Sequence, residues 1–302
     1  MRPVLALILV PALPGQAPAP QPDQPPKARR ERLLELYRGE ATSYVIHRDS
    51  DRHEKVELRR DPVYSWTNPV RSDGQDGDVF VWTCRGRAEV VGTFFSYPST
   101  GPRSLNHELH SLSTSVLDVS RAGGANQWKP QAPGVEPVPI ADAAAPAGSP
   151  AQRLRQMRVL TQDFAASSVD LEGKRWEFRL LPQPLYRYES TDPDVLDGAV
   201  FAFVTSAGTD PEIILVIEAR KPPDQAAAAP TWHYALARFS DLTLTVRHKG
   251  REVYTAPPIP WDAPEQDPKQ RYRTFRDRGI PPMESEPHSA PANPQTSKDQ
   301  PR

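Results

Sequence analysis

Apolar residues change their period several times along this chain, and each change marks an element. In "RRERLLELYR", Leu33, Leu36 and Tyr37 recur near helical spacing, as do Leu154, Met157 and Leu160 in "QRLRQMRVLTQDF". Ser149-Pro150 offers a cap ahead of the second segment. After each helical segment the period falls to two. In "KVELR" Val56 and Leu58 face one way and Glu57 and Arg59 the other, and "RWEFRLL" sets Trp176, Phe178 and Leu180 against Glu177 and Arg179. "FAFV" and "EIILVIEA" are apolar on both faces, which predicts central strands. Turn residues such as "SDGQDG" and "SAGTDP" separate the runs.

These features occur in the same order twice. "ATSYV" is answered by "AASSV", Pro62-Val63-Tyr64-Ser65-Trp66 by Pro184-Leu185-Tyr186-Arg187-Tyr188, and Gly77 to Trp82 by Gly198 to Phe203. The order predicts an α+β fold, β-rich overall: a tandem duplication of a helix followed by a curved antiparallel sheet. The expected organisation is a signal peptide at 1–19, a Pro-rich spacer at 20–27, one module at 28–128, a Pro/Ala-rich linker at 129–150, a second module at 151–254 and a disordered tail at 255–302. Trp261 and "RYRTF" are the tail's sticky groups.

Composition sharpens this division. Of 36 prolines, 8 fall in 1–27, 6 in 129–150 and 11 in 255–302, so the remainder has a normal share. Met1-Arg2 followed by "PVLALILVPALPGQAPA" has the layout of an export leader, too short to span a bilayer. The expected location is therefore periplasmic or extracellular, with no transmembrane segment in the mature chain. The 37 basic and 38 acidic residues are well mixed and net charge is −1, which offers no field for nucleic acid or an anionic membrane. Cys84, the single cysteine, excludes an intramolecular disulfide and a thiolate metal cluster.

The most chemical stretch is "NHELHSLS". On a strand Glu108 and His110 share one face and His107 takes the other. It lacks the zincin spacing, and two ligands on a face fall short of the three or four that zinc takes. No metal or cofactor is expected. The aromatic pairs Tyr64/Trp66 and Tyr186/Tyr188, with Arg187 on the face opposite the tyrosines, are candidates for stacking on a ligand; core packing is the competing reading. Phosphate loops and Gly-x-Ser-x-Gly elbows are missing from the sequence.

The leader, "PVYSWTNP", "GDVFVWTCRGRAEVVGTFFSY", "HELHSLS", "RQMR" and "RLLPQPLYRYE" resemble an uncharacterised secreted family of planctomycete-type bacteria, over roughly 55–250. The resemblance implies export and brings no activity or catalytic residues. The sequence thus favours an exported, non-catalytic binding or structural protein, its partner an unknown small molecule, glycan or protein. The alternative is an exported hydrolase or metal-dependent enzyme using His107, Glu108 and His110.

Overall fold

A computed structural model describes residues 27–48, 54–70, 74–99, 102–123, 127–170, 172–222, 228–260 and 267–280. The leader and Trp261 lie outside the described residues. Helix α1 (Lys27–Thr42) precedes strands β1 (Tyr44–His47), β2 (Lys55–Leu58), β3 (Tyr64–Asn68), β4 (Gln75–Cys84), β5 (Arg87–Tyr97), β6 (Arg103–Ser111) and β7 (Asp118–Arg121). A short β8 (Val138–Pro139) and α2 (Pro150–Thr161) follow, then β9 (Phe164–Val169), β10 (Arg175–Glu177), β11 (Arg179–Leu180) and β12 (Tyr186–Glu189). The chain continues through β13 (Val195–Val204), β14 (Pro211–Arg220), β15 (Thr231–Arg238), β16 (Thr243–His248), β17 (Arg251–Ala256) and β18 (Tyr272–Ile280). No helix among the described residues is long and apolar enough to cross a membrane.

The long strands β4, β5, β13 and β14 carry apolar side chains on both faces, and the packing explains why. From β4, Val79 and Val81 enter a central core with Val91, Val200, Ala202, Ile214 and Val216, so this core lies between the sheets of the two halves. The alternate residues Phe80 and Trp82 turn outward into a second core with Leu33, Tyr37 and Phe94. Phe201, Phe203, Ile213 and Leu215 do the same in a third core with Met157. Period two and burial on both sides are thus satisfied together. The sheets curl to close their outer cores: β4 pairs with β2, β2 with β1, and β1 with β7. In the other half the outer core is closed by a separate sheet: β13 pairs with β11 and β14 in a six-stranded sheet, and β9 pairs with β10 and β16 in a four-stranded one.

This arrangement corrects the expected α+β fold. Among the described residues the protein is mostly β, 49% strand and 12% helix, with two helices and curled antiparallel sheets. A tandem helix duplication is not seen. Each helix closes only one end of its sheet's outer core, through Leu33, Tyr37 and Ala41 in α1 and Met157 in α2. What covers the inner face of the eight-stranded sheet is the six-stranded sheet, whose other face packs on the four-stranded one. Long central strands buried on both faces in each half impose a similar order of apolar runs, so that order does not establish a repeated helix-plus-sheet unit. Locally, α2 starts as its sequence indicates: Ser149 caps it, accepting from the Gln152 amide, and Pro150 opens the first turn.

The expected disordered tail at 255–302 is corrected where β18 forms, while 261–266 and 281–302 lie outside the described residues. β17 pairs with β16, and β18 pairs along its length with β6, from Tyr272 beside His110 to Ile280 beside Arg103. Without β18, β6 would be an edge strand with a row of unpaired amides and carbonyls. Tyr272 and Ile280 are buried and Phe275 packs on the outer core, so this short stretch contributes apolar contact as well as hydrogen bonds. A high proline count around it concealed nine residues of strand.

Candidate functional site

β6 is paired on both sides, by β5 and by β18, so its polar side chains are held in two separate environments. His107 projects toward the outer core with Leu105 and Leu109; Glu108 projects to the opposite face.

On the His107 side the imidazole stacks on Phe275 at 5.0 Å and meets the edge of Phe94 at 4.8 Å. Its Nδ1 lies 2.9 Å from the Tyr44 hydroxyl, and its Nε2 lies 3.4 Å from Glu40 Oε2 and 3.9 Å from Asp277 Oδ2. Arg121 donates to both Asp277 oxygens, at 2.8 and 3.0 Å, and to Glu40 at 2.9 Å. Arg278 donates to Glu40 and, at 2.8 Å, to Asp277. Asp277 itself is the extra residue of a bulge between Arg276 and Arg278, the kind of irregularity that re-aims a side chain. Burial pushes the His107 imidazole down. Burial would raise Glu40, but hydrogen bonds from His107 and Arg278 outweigh it and bring the carboxyl down to about 2. Burial would likewise raise Asp277, and Arg121 holds it below the usual carboxylate range.

Glu40, His107 and Asp277 present one ligand atom each within 4.8 Å of one another, enough in number for a catalytic zinc. Both carboxylates are already engaged by two guanidiniums, so an ion there would have to displace Arg121 and Arg278 from Glu40 and Asp277. The cluster is a clasp: it ties α1, β6, β7 and β18 together through balanced charges.

On the other face, Tyr272 donates to Glu108 Oε1 at 2.5 Å, and burial holds the phenol protonated. His110 is on this face as well, outside the lining that Glu108 joins. Its Nδ1 donates to the Ser111 carbonyl at 2.7 Å, and burial brings its pKa down to about 3. It is therefore a neutral imidazole in the core, beside the Tyr272 ring at 5.9 Å.

Glu108 and Tyr272 line a cavity of about 400 Å³ at one end of the space between the sheets. Trp66, Phe95, Phe239, Leu242, Ile259 and Pro260 supply its apolar lining. The Trp66 indole donates to Thr93 Oγ1 at 2.9 Å, and Thr93 in turn donates to the Asp78 carbonyl at 3.1 Å, which fixes the ring. Gly77 lies beneath that indole: a Cβ there would meet Trp66 Cε2 at 2.6 Å, so only glycine lets the ring lie flat on β4. Asp210, just ahead of β14, receives the Asn68 amide at 3.0 Å and contributes a second carboxylate to the lining. Arg238 lies 5.0 Å from the Tyr272 ring, but its donors go to the carbonyls of Ser240, Pro257 and Leu242.

Two of the sequence candidates thus meet, Trp66 and Glu108. Tyr64 packs on the central core, and Tyr186 and Tyr188 stack within it at 5.6 Å. The Tyr188 hydroxyl donates to Glu218 at 2.5 Å inside a buried network with Arg87 and Arg220, and Tyr186 donates to the Gly86 carbonyl. Arg187 binds Asp197 at 2.8 Å alongside Arg153 of α2, away from the cavity. Sequence reasoning missed Tyr272 and Thr274, assigned to the tail, and Asp210, read as turn chemistry. The alternation in "YRTFRDRGI" was the available signal for the first two.

No family model matches this chain, and neither does any curated protein or solved structure.

Proposed function

We propose that this is an exported, non-catalytic protein that binds a small molecule in the cavity beside Trp66, Glu108 and Tyr272. The observation that carries the reading is the cavity itself: about 400 Å³, walled by rings, with a few fixed polar groups converging on it. That volume and that lining are typical of small-molecule sites. The ring positions are set by hydrogen bonds that are complete without a ligand, as at Trp66 and Thr93, so binding needs little reorganisation. The leader pattern at 1–19 supports export.

The enzyme alternative has less support. General acid-base work calls for groups within hydrogen-bond reach of one reacting centre. His107 lies on the opposite face of β6 from Glu108, and His110 spends its Nδ1 proton on a backbone carbonyl.

A thermal-shift screen of amines, sugars, alcohols and carboxylic acids tests the reading. Compounds that stabilise the full chain should lose their effect in Thr274→Phe, which places a ring in the cavity. A screen with no stabilising compound, or with hits indifferent to Thr274→Phe, contradicts it.

A further inference from the structure

β18 carries an unmatched charge on the face turned away from the cavity. Tyr272 and Thr274 line the cavity, so Arg273 and Phe275 take the opposite face, beside Leu109 and His107 of β6. Arg273 is buried, with 7% of its surface exposed, and its guanidinium lies over the Phe275 ring at 4.9 Å. Its Nε and Nη1 meet no hydrogen-bond acceptor, and among the described residues no carboxylate pairs with it. Asp267 attracts it from a distance, but that carboxylate is exposed and accepts from the Lys269 amide and the Gln270 side chain. The neighbouring clasp is already matched, with Arg121 and Arg278 against Glu40 and Asp277. A lysine so placed could shed its proton, whereas an arginine stays charged at neutral pH. The Phe275 ring offsets part of that charge at the guanidinium's face and leaves the N–H groups along its edges unmet.

We infer that Arg273 is an anion site whose ligand is the carboxylate of a small organic acid. With a ring across its face, the guanidinium offers its edges, where a planar carboxylate docks through two parallel N–H···O bonds. The unmatched charge is a single one, which suits a monoanion better than phosphate. Entry lies along the seam between β7 and β18, the two end strands of the eight-stranded sheet. Side chains rather than ladder hydrogen bonds span that seam, as Arg121 does in reaching Asp277. A small acid therefore needs only side chains to move. The site is separate from the cavity and stands whether or not the cavity binds anything.

The test is calorimetric titration of the full chain with formate, acetate and inorganic phosphate, at constant ionic strength in chloride buffer. Formate or acetate should bind at one site per chain, at least tenfold more tightly than phosphate. Arg273→Met should abolish that binding. Arg273→Lys keeps the charge, loses the fork and should weaken it at least tenfold, which preserves the test if the methionine variant fails to fold. Thr274→Phe fills the cavity and should leave it unchanged. No saturable binding of either acid, or binding indifferent to Arg273→Met and Arg273→Lys, overturns the assignment. Phosphate binding as tightly as the acids overturns the carboxylate class. Acid binding lost in Thr274→Phe and kept in Arg273→Lys overturns the Arg273 site as well, and leaves the reading of the cavity intact.

Discussion

The hydroxyl of Tyr272 meets the carboxylate of Glu108 at 2.5 Å, although 164 residues of chain separate them. The contact joins the C-terminal strand to the polar centre of β6, and it shapes one end of the cavity at the same time. Tyr272→Phe removes one hydrogen-bond donor from a buried carboxylate. The expected cost is about 1–3 kcal/mol in urea unfolding, with a weaker response to any cavity ligand. An unchanged unfolding midpoint would show that this bond contributes nothing.

Asp277 and Arg121 form the centre of the clasp on the other face of β6. Arg121→Met leaves Glu40 and Asp277 buried together with Arg278 as their remaining guanidinium partner in the cluster. Breaking a buried pair in this way typically costs about 3–5 kcal/mol. A double-mutant cycle of Arg121→Met with Asp277→Asn should show coupling, since each removes the other's partner. Additive effects would mean that the two residues stabilise the fold independently.

Stability should fall with acid in two stages. His110 and His107 are pushed below their ordinary value of 6.5 by burial, His110 to about 3. A histidine that stays neutral when folded binds fewer protons than in the unfolded chain. Its contribution is therefore full above about pH 6.5 and is lost as pH falls toward 3, at up to about 1.4 kcal/mol per pH unit. Glu40, lowered from 4.5 to about 2, adds a second loss that begins only below about pH 4.5. Melting curves should be flat above neutrality and drop between pH 6.5 and 4.5, less steeply in His110→Gln. A melting temperature constant from pH 7 to pH 5 argues against buried neutral imidazoles.

Gly77→Ala tests how the Trp66 wall is held. The added methyl would overlap the indole and approach Phe95 Cβ at 2.7 Å, so the ring must lift from β4 into the cavity. Overpacking of this kind costs about 1–3 kcal/mol. The variant should unfold earlier and should show altered tryptophan emission and reduced ligand response. A variant as stable as the parent would mean that β4 yields easily at this point.

Much of the local structure was legible in the chain. Alternation in "KVELR" and the two-faced apolar runs of β13 and β14 placed strands, and Ser149 marked a helix start. The packing was not legible. A strand apolar on both faces must be covered twice, but its sequence does not say whether a helix or another sheet does the covering. That ambiguity produced the helix-on-sheet expectation, where the finding is sheet on sheet. β18 was hidden for a different reason: Tyr272, Phe275 and Ile280 are few among charged neighbours, and the strand becomes stable only against the open edge of β6. The site inherits that gap. Trp66 and Glu108 stood out individually, yet their meeting in one cavity depends on Tyr272, Asp210 and Phe239, which come from distant segments.

Calorimetric titration of the tightest compound from the thermal-shift screen into the parent chain and into Thr274→Phe decides whether the cavity between the sheets is a small-molecule site. One site per chain is expected in the parent and at least tenfold weaker binding in the variant, with the variant still folded. Equal affinity in the two proteins would contradict the assignment.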